Sequence, residues 1–384
     1  MQLLLHILKQ GHDGKAAEDC RWFSTVDWEQ VFQLARHHRV TSLLYTKLKS
    51  IDGKWIPTSL IGRLQEHYQR NAVQMLALAG ELERINVLFK EHQIRSLCLK
   101  GPVLASLLYG DLSLRTSSDL DLLIPIEDLQ KGERLLESIG YSKDNYIQTI
   151  LGDWKWRHHH VTYFHPELKY KIELHWRLHP GPTKEPAFDE LWERKQKSSQ
   201  HSSPIYFLGN EDLFLFLVCH GARHGWSRLR WLIDIDRMTK QDVDWRQCAN
   251  RVHASGFTNV VGQALILTSK LLGTSLPTPV TRFTRGHRSL KLAEEALFYL
   301  KEMINLHNEP LPQRVSRYHK QYLFSLKSAP QKALFILSFL YPYPIDHKTL
   351  PLPEKIHFLY FPLRPLLCAW RKLKGYFKQR GTLQ

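Results

Sequence analysis

Cysteine is scarce in this chain. There are five in 384 residues, Cys20, Cys98, Cys219, Cys248 and Cys368, an odd number with no two at zinc-ligand spacing. A disulfide framework and a structural zinc module are thereby excluded, and the set fits a reducing compartment. Long apolar runs are missing too. The longest near the C-terminus, Ala333 to Tyr341, is too short to cross a bilayer. Met1 to Lys9 is apolar but lacks a charged leading region and a cleavage site, so no secretory signal is read there. A cytoplasmic protein, soluble or peripheral to a membrane, is expected. No internal repeat and no long low-complexity tract is present. Acidic residues are in deficit: 37 Asp and Glu stand against 53 Lys and Arg, a net charge of +16. That balance draws polyanions, whether nucleotides, nucleic acid or an anionic membrane face, without choosing among them. With 43% hydrophobic and 23% charged residues the composition is that of a globular protein, not a disordered one.

The hydrophobic pattern divides the chain into three stretches. Residues 1–90 read as helical, closing on Met75, Leu76, Ala79, Leu82, Ile85, Leu88 and Phe89 at three- and four-residue spacing. Residues 91–194 change period. Ser96 to Leu99 reads as a short buried strand ending at Lys100-Gly101-Pro102, Val103 to Leu108 as a helix, and Asp119 to Ile124 as a strand. Ile126 to Ile139 follows as an amphipathic helix stopped by Gly140, then Trp156 to Phe164 and Lys169 to Leu178 as strands. The Ser-rich stretch from Lys195 to Pro204 is read as a linker or loop, and residues 205–384 as mainly helical. The tail from Lys355 to Arg380 mixes aromatic and basic residues. A helix packed on the body with a solvated basic face is expected there, in preference to contact with an anionic membrane or nucleic acid. The fold class that follows is α+β, with helical N- and C-terminal regions around the mixed stretch.

The segment Arg115-Thr-Ser-Ser-Asp119-Leu-Asp121-Leu-Leu-Ile carries the chemistry. Strand side chains alternate, so Asp119 and Asp121 share one face while Leu120 and Leu122 share the other. Two carboxylates this close repel unless a cation sits between them, and Mg²⁺ takes hard oxygen ligands together with substrate phosphates. A third acid is expected on a neighbouring strand, and Glu173 in Lys171-Ile-Glu-Leu-His175-Trp is the best placed. In a two-ion site the first two acids bridge both metals and the third activates the attacking hydroxyl. An ordinary solvated sheet face is the competing reading of the Asp pair; the upstream Lys100-Gly101 turn favours the metal.

Other residues are less decided. Arg115 is open to a phosphate contact, an ion pair with Asp119 or an ordinary loop salt bridge. Ser118 stands beside the acid pair. His175 is read as substrate-orienting or as a hydrogen-bonded structural residue. Within His158-His159-His160, a transition-metal site is disfavoured for want of partners at the right spacing, and His160 is expected to face the cleft. His220 and His224 lack the glutamate of a zincin. The segment through Arg228, Arg230 and Asp234 is expected to pack on the core and offer cations to phosphate.

The run Leu99-Lys-Gly-Pro102 … Leu108-Tyr-Gly-Asp111 … Arg115 … Asp119-Leu-Asp-Leu-Leu123 resembles an uncharacterised family of bacterial nucleotidyltransferases in the DNA-polymerase-β-like superfamily. Ile172-Glu-Leu-His-Trp-Arg-Leu178, the segment His220-Gly-Ala-Arg-His-Gly-Trp226 … Arg228 … Asp234, and Leu359-Tyr-Phe-Pro-Leu-Arg-Pro365 are similar to further stretches of that family. The resemblance spans roughly Ile85 to Leu367. It implies an α+β fold whose nucleotidyltransferase core is a small mixed β-sheet flanked by helices, with helical N- and C-terminal additions, an NTP co-substrate, ATP included, and Mg²⁺, two ions, held by Asp119, Asp121 and Glu173. Nucleotide contacts are expected from Lys100, Gly101, Arg115, Ser118, His175 and Arg228. One departure matters: the wider superfamily has Gly-Ser at the phosphate-cradling helix start, where this chain has Lys100-Gly101-Pro102. A helix N-terminus still offers free N–H groups there. The expected reaction moves an NMP group onto a hydroxyl or phosphate acceptor, whether small molecule, peptide, protein or RNA. A tailoring role in a biosynthetic cluster, a nucleotidylating toxin, and a nucleic-acid-binding protein that has lost catalysis stand as the readings to be separated.

Overall fold

The computed structural model describes residues 1–9, 26–51, 56–181, 183–198, 203–307 and 310–381, the last seven by backbone alone. Four helices come first: α1 Gln2–Lys9, α2 Trp28–His37, α3 Thr41–Lys49 and α4 Thr58–Glu91. Asp27 caps α2 by accepting the backbone N–H of Gln30 at 2.9 Å, satisfying a donor the helix leaves free. Helix α4 buries Met75, Leu78, Leu82, Ile85 and Phe89 on one stripe, while Leu76, expected in that stripe, lies outside it and exposed.

The middle of the chain alternates β1 Leu97–Cys98, α5 Pro102–Tyr109, β2 Asp119–Leu123, α6 Leu129–Ser138, β3 Ser142–Lys143, α7 Trp154–Arg157, β4 His160–Phe164 and β5 Lys171–His175. It continues through α8 Phe188–Glu193, β6 Gln196–Ser198 and β7 Ile205–Phe207. The strands form one mixed sheet in the order β3-β4-β5-β2-β1-β7-β6, with β2 parallel to β5 and antiparallel to β1. Two expectations are corrected here. Residues 154–157 are a helical turn, not the start of a strand: Asp153 accepts from Arg157 one turn later, and pairing begins only at His160. The stretch expected to be linker contributes β6, because its backbone finds β7 to pair with.

The C-terminal half is helical: α9 Asn210–Arg223, α10 Leu229–Met238, α11 Trp245–Ser255, α12 Thr258–Leu272, α13 Thr278–Thr281 and α14 His287–Lys301. It ends with α15 Gln313–Ser325, α16 Ala329–Ser338, α17 Pro344–Thr349 and α18 Tyr360–Gly381. Among the described residues, no helix is long and apolar enough to cross a membrane. The tail is less neatly packed than its sequence suggests. Most of the exposed large apolar side chains of the described residues fall between Leu334 and Leu373, Leu366 and Trp370 among them.

The sheet positions the site by having two different faces. Leu120, Leu122, Val161, Tyr163, Ile172 and Leu174 point into a core closed by α4 and α6. A second core joins α1–α3 and the start of α4 to α9–α14, and reaches the sheet at Leu97, Leu99 and Leu123. The remaining face, between these cores, carries the charged residues.

Candidate active site

The site begins at a backbone turn. After β1 the chain reverses at Gly101, whose φ of +80° lies in the region that favours glycine, and Pro102 opens α5 at its first position, where a missing N–H costs nothing. A side chain on Gly101 would point at the Asp119 carbonyl, 3.6 Å from its Cβ. The turn thus sets the N-terminus of α5 beside the start of β2, and the Leu99 N–H donates to the Asp121 carbonyl at 2.9 Å to hold it there.

Parallel register between β2 and β5 then aligns the acids. Asp119 stands opposite Lys171, and Asp121 opposite Glu173. On β4 the next residues of the same face are His160, opposite His175, and Thr162, opposite Glu173. Asp121 is fully buried, and its Oδ1 meets Lys100 Nζ at 3.0 Å and His175 Nε2 at 3.2 Å. Lys171 Nζ bridges the other two acids, 3.3 Å from Asp119 and 2.7 Å from Glu173. The expected trio therefore comes together, with two lysines among the carboxylates. Burial favours neutral forms of Asp119 and Glu173. For Asp119, Lys100, Lys171 and Arg230 outweigh burial and the repulsion of Glu173, leaving its pKa below the usual carboxylate value. For Glu173, the His175 hydrogen bond and the charges of Lys100, His160 and Lys171 hold the carboxyl far below the ordinary range. Burial opposes charge on His175 as well, but hydrogen bonds to Asp121 and Glu173 raise its pKa.

Two buried atoms of this cluster have no hydrogen-bond partner: Asp121 Oδ2 and His175 Nδ1. A buried carboxylate oxygen left unpaired is costly unless something else completes it. Asp121, Glu173 and His175 each offer a ligand atom within 4.8 Å of the others. That donor set and the orphaned carboxylate oxygen fit a divalent cation.

The cations beside the acids separate into two kinds. Arg115 is committed to structure. It is 2% exposed and forms a two-pronged bridge to Asp234, Nε to Oδ1 and Nη2 to Oδ2 both at 3.0 Å, with the Tyr109 hydroxyl donating to the same carboxylate at 2.8 Å. Of the readings open for Arg115, the structure gives a salt bridge, made with a helix 119 residues onward instead of with Asp119. Ser118 is exposed, and its neighbour Ser117 makes the contact, donating to the Asp119 carbonyl at 3.1 Å. Arg228 donates to the ring of His37 and, at 2.8 Å, to Asn305. Arg230 donates to the Thr116 hydroxyl at 2.9 Å. Among the described residues no carboxylate lies within ion-pair distance of Arg228, Arg230 or Arg39. Burial lowers the pKa of Arg230 to about 9 with the help of Arg115 and Arg39, and burial with Arg39 lowers Arg228 to about 10. Both Arg39 and Arg230 lie within electrostatic reach of Asp119.

Sequence reasoning missed Arg39 and Lys171. Arg39 comes from the turn between α2 and α3, with a φ of 56°, and nothing in a local pattern connects it to a strand 80 residues away. Lys171 was within reach: it shares the period-two face of Glu173.

The histidines line one side. His160 and His175 rings sit 4.9 Å apart, and His159 is 5.3 Å from His175. As expected, His160 is on the face of the acids. His158 does not share a strand with it, since it caps α7. His224 stacks on Trp231 at 5.2 Å and on His307 at 5.4 Å. Trp226 is fully buried, and Gly221 is glycine because a Cβ there would fall 2.3 Å from its ring.

A solved structure of an antigenic nucleotidyltransferase-like protein from Paracoccidioides brasiliensis is 16% identical to this chain, over 57% of it and 97% of the fungal chain, with a TM-score of 0.27. No curated protein matches. The sequence model of a family described as uncharacterised nucleotidyltransferases matches residues 24–273, which include every carboxylate, lysine and arginine of the site, and the chain belongs to that family.

Proposed function

We propose that this protein transfers a nucleotidyl group from an NTP to a hydroxyl or phosphate acceptor in a Mg²⁺-dependent reaction, on the pattern of the DNA-polymerase-β-like enzymes. The observation that carries the reading is the gathering of opposite charges at one face of the sheet. Asp119, Asp121 and Glu173 stand on adjacent parallel strands, and Arg39 and Arg230, with no carboxylate at ion-pair distance among the described residues, lie within electrostatic reach of Asp119, with Arg228 in reach of Arg39. Acids suit the cation of a metal–triphosphate complex, and unpaired guanidinium groups suit its phosphates.

In this reading Asp119, Asp121 and Glu173 hold the metal, which when bound supplies charge stabilisation to the phosphates. The N-terminus of α5, Gly101 and Lys100 receive the triphosphate. Lys100, which pairs with Asp121, would be free to turn to a phosphate oxygen if that carboxylate held a metal, and so would supply the cation that a Gly-Ser turn lacks. An acceptor hydroxyl gives its proton to Glu173 as its oxygen forms a bond to the α-phosphorus and the bond to pyrophosphate breaks. His175 holds Asp121 and Glu173 in place. A tailoring role on a small molecule, peptide or RNA, within the cytoplasm, belongs to the same reading.

A second reading is favoured by one observation. Lys100, Lys171 and His175 already neutralise the three acids, as in a polyanion-binding protein that has given up catalysis. Calorimetric titration of each NTP with and without Mg²⁺ separates the two. Mg²⁺-dependent binding is expected in the wild type, lost in Asp119→Asn and weakened at least tenfold in Arg39→Gln. NTP binding indifferent to both Mg²⁺ and Asp119→Asn would overturn the enzymatic reading, and RNA affinity falling steeply with salt would then support the second.

A further inference from the structure

Behind the histidines lies a cavity of about 370 Å³, and its wall has an unusual charge. It is lined by Arg157 from α7, Arg223 from α9, Lys327 before α16, and Phe257, Phe335 and Tyr343 among others, with no Asp or Glu in the lining. Apolar surface predominates around these three cations.

The two arginines are incompletely used. Arg223 donates to His159 Nε2 at 2.9 Å, and no carboxylate lies within ion-pair distance of it among the described residues. Burial lowers its pKa against the pull of Glu173 and Asp121. Arg157 spends Nε on Asp153 and Nη1 on the Tyr343 hydroxyl, and its Nη2 is buried without a partner. Guanidinium donors withdrawn from water need anions or acceptors, and each one left unmet is destabilising. Arg157 and Tyr343 come from segments 186 residues apart and close on each other only in the folded chain.

We propose that this cavity is a binding site for an organic anion, a carboxylate or phosphate carried on an apolar or aromatic body. The anionic group is received by Arg223 and the free edge of Arg157, and the body by Phe257, Phe335 and the aliphatic wall. The site lies across His159 from the acids: Arg223 touches His159, whose ring packs on His175, which touches Asp121. This goes beyond the nucleotidyl-transfer reading and does not depend on it.

The test is a calorimetric titration of the full chain, without NTP or Mg²⁺, using naphthalene-2-carboxylate, 2-naphthyl phosphate and the neutral naphthalene-2-carboxamide. At least one anion is expected to bind ten or more times more tightly than the amide, and the two anion arms show which group is preferred. Two variants follow. Arg223→Gln removes the half-buried cation next to His159. Gln331→Glu puts a negative charge in the lining while keeping the cap of α16, where Gln331 accepts the Ser328 N–H at 2.9 Å and a glutamate serves equally well. Tenfold weaker anion binding in Gln331→Glu, with an unchanged melting temperature, supports the site even if Arg223→Gln fails to fold. No binding by either anion, an amide that binds as tightly, or anion affinity unchanged in Gln331→Glu overturns it. Loss of NTP binding, measured separately, would bear only on the catalytic reading.

Discussion

Asp121 shows how far a single residue's surroundings change what its sequence implies. Read as half of a repelling acid pair, it would be replaced by asparagine at almost no cost to stability, or even with a slight gain. In the folded chain it is fully buried and holds both Lys100 and His175. Asp121→Asn leaves a buried ammonium facing an amide, and a loss of about 1–3 kcal/mol is expected, read as a lower denaturation midpoint in urea. An unchanged midpoint would return Asp121 to the repulsion picture. Gly221 is the second case. Its Cβ would lie 2.3 Å from the Trp226 ring, which is fully buried. Gly221→Ala is expected to cost about 1–3 kcal/mol through overpacking. A calorimetric melting temperature within 1 °C of wild type would show that Trp226 yields.

Among the elements, α10 does more than cover the core. Through Asp234 it ties Tyr109 at the end of α5 to Arg115 ahead of β2, so both elements that frame the acids hang on one buried carboxylate. Removing either partner alone strands a buried charge. Arg115→Met and Asp234→Leu are each expected to cost about 3–5 kcal/mol, and the double variant much less than the sum. Simple additivity in urea denaturation would mean that Arg115 and Asp234 are not coupled. The same helix begins with Arg228 and Arg230, so a disturbed Asp234 is expected to weaken NTP binding without touching a ligand.

For the molecule as a whole, buried neutral histidines set the acid side of the stability curve. Burial lowers the pKa of His38 to about 3, with help from His37 and Arg228, and that of His179 to about 3, with help from Arg223 and Arg177. The unfolded chain takes up these protons near pH 6.5, the folded chain only near 3. Their contribution is fully present above 6.5 and is lost as pH falls toward 3, at up to about 1.4 kcal/mol per pH unit for each. A melting temperature that falls from pH 6.5 downward is the expected result; a flat profile to pH 4 would contradict the burial of these rings.

The carboxylate strand, the turn at Gly101 and the alternation that puts Asp119 and Asp121 on one face were legible in the sequence, because strand geometry and glycine's backbone freedom are local. So was the α+β class with helical additions at both ends, because it rests on hydrophobic period. The partners were not. Register between β2 and β5 decides that Asp121 faces Glu173, and register is a property of two strands about 50 residues apart. The commitment of Arg115 to Asp234, the arrival of Arg39 beside Asp119 and the closing of Arg157 on Tyr343 all depend on which helices share a core. Amphipathic periodicity says that a helix has an apolar face; only packing chooses what that face meets, and so which charges are brought out of water together.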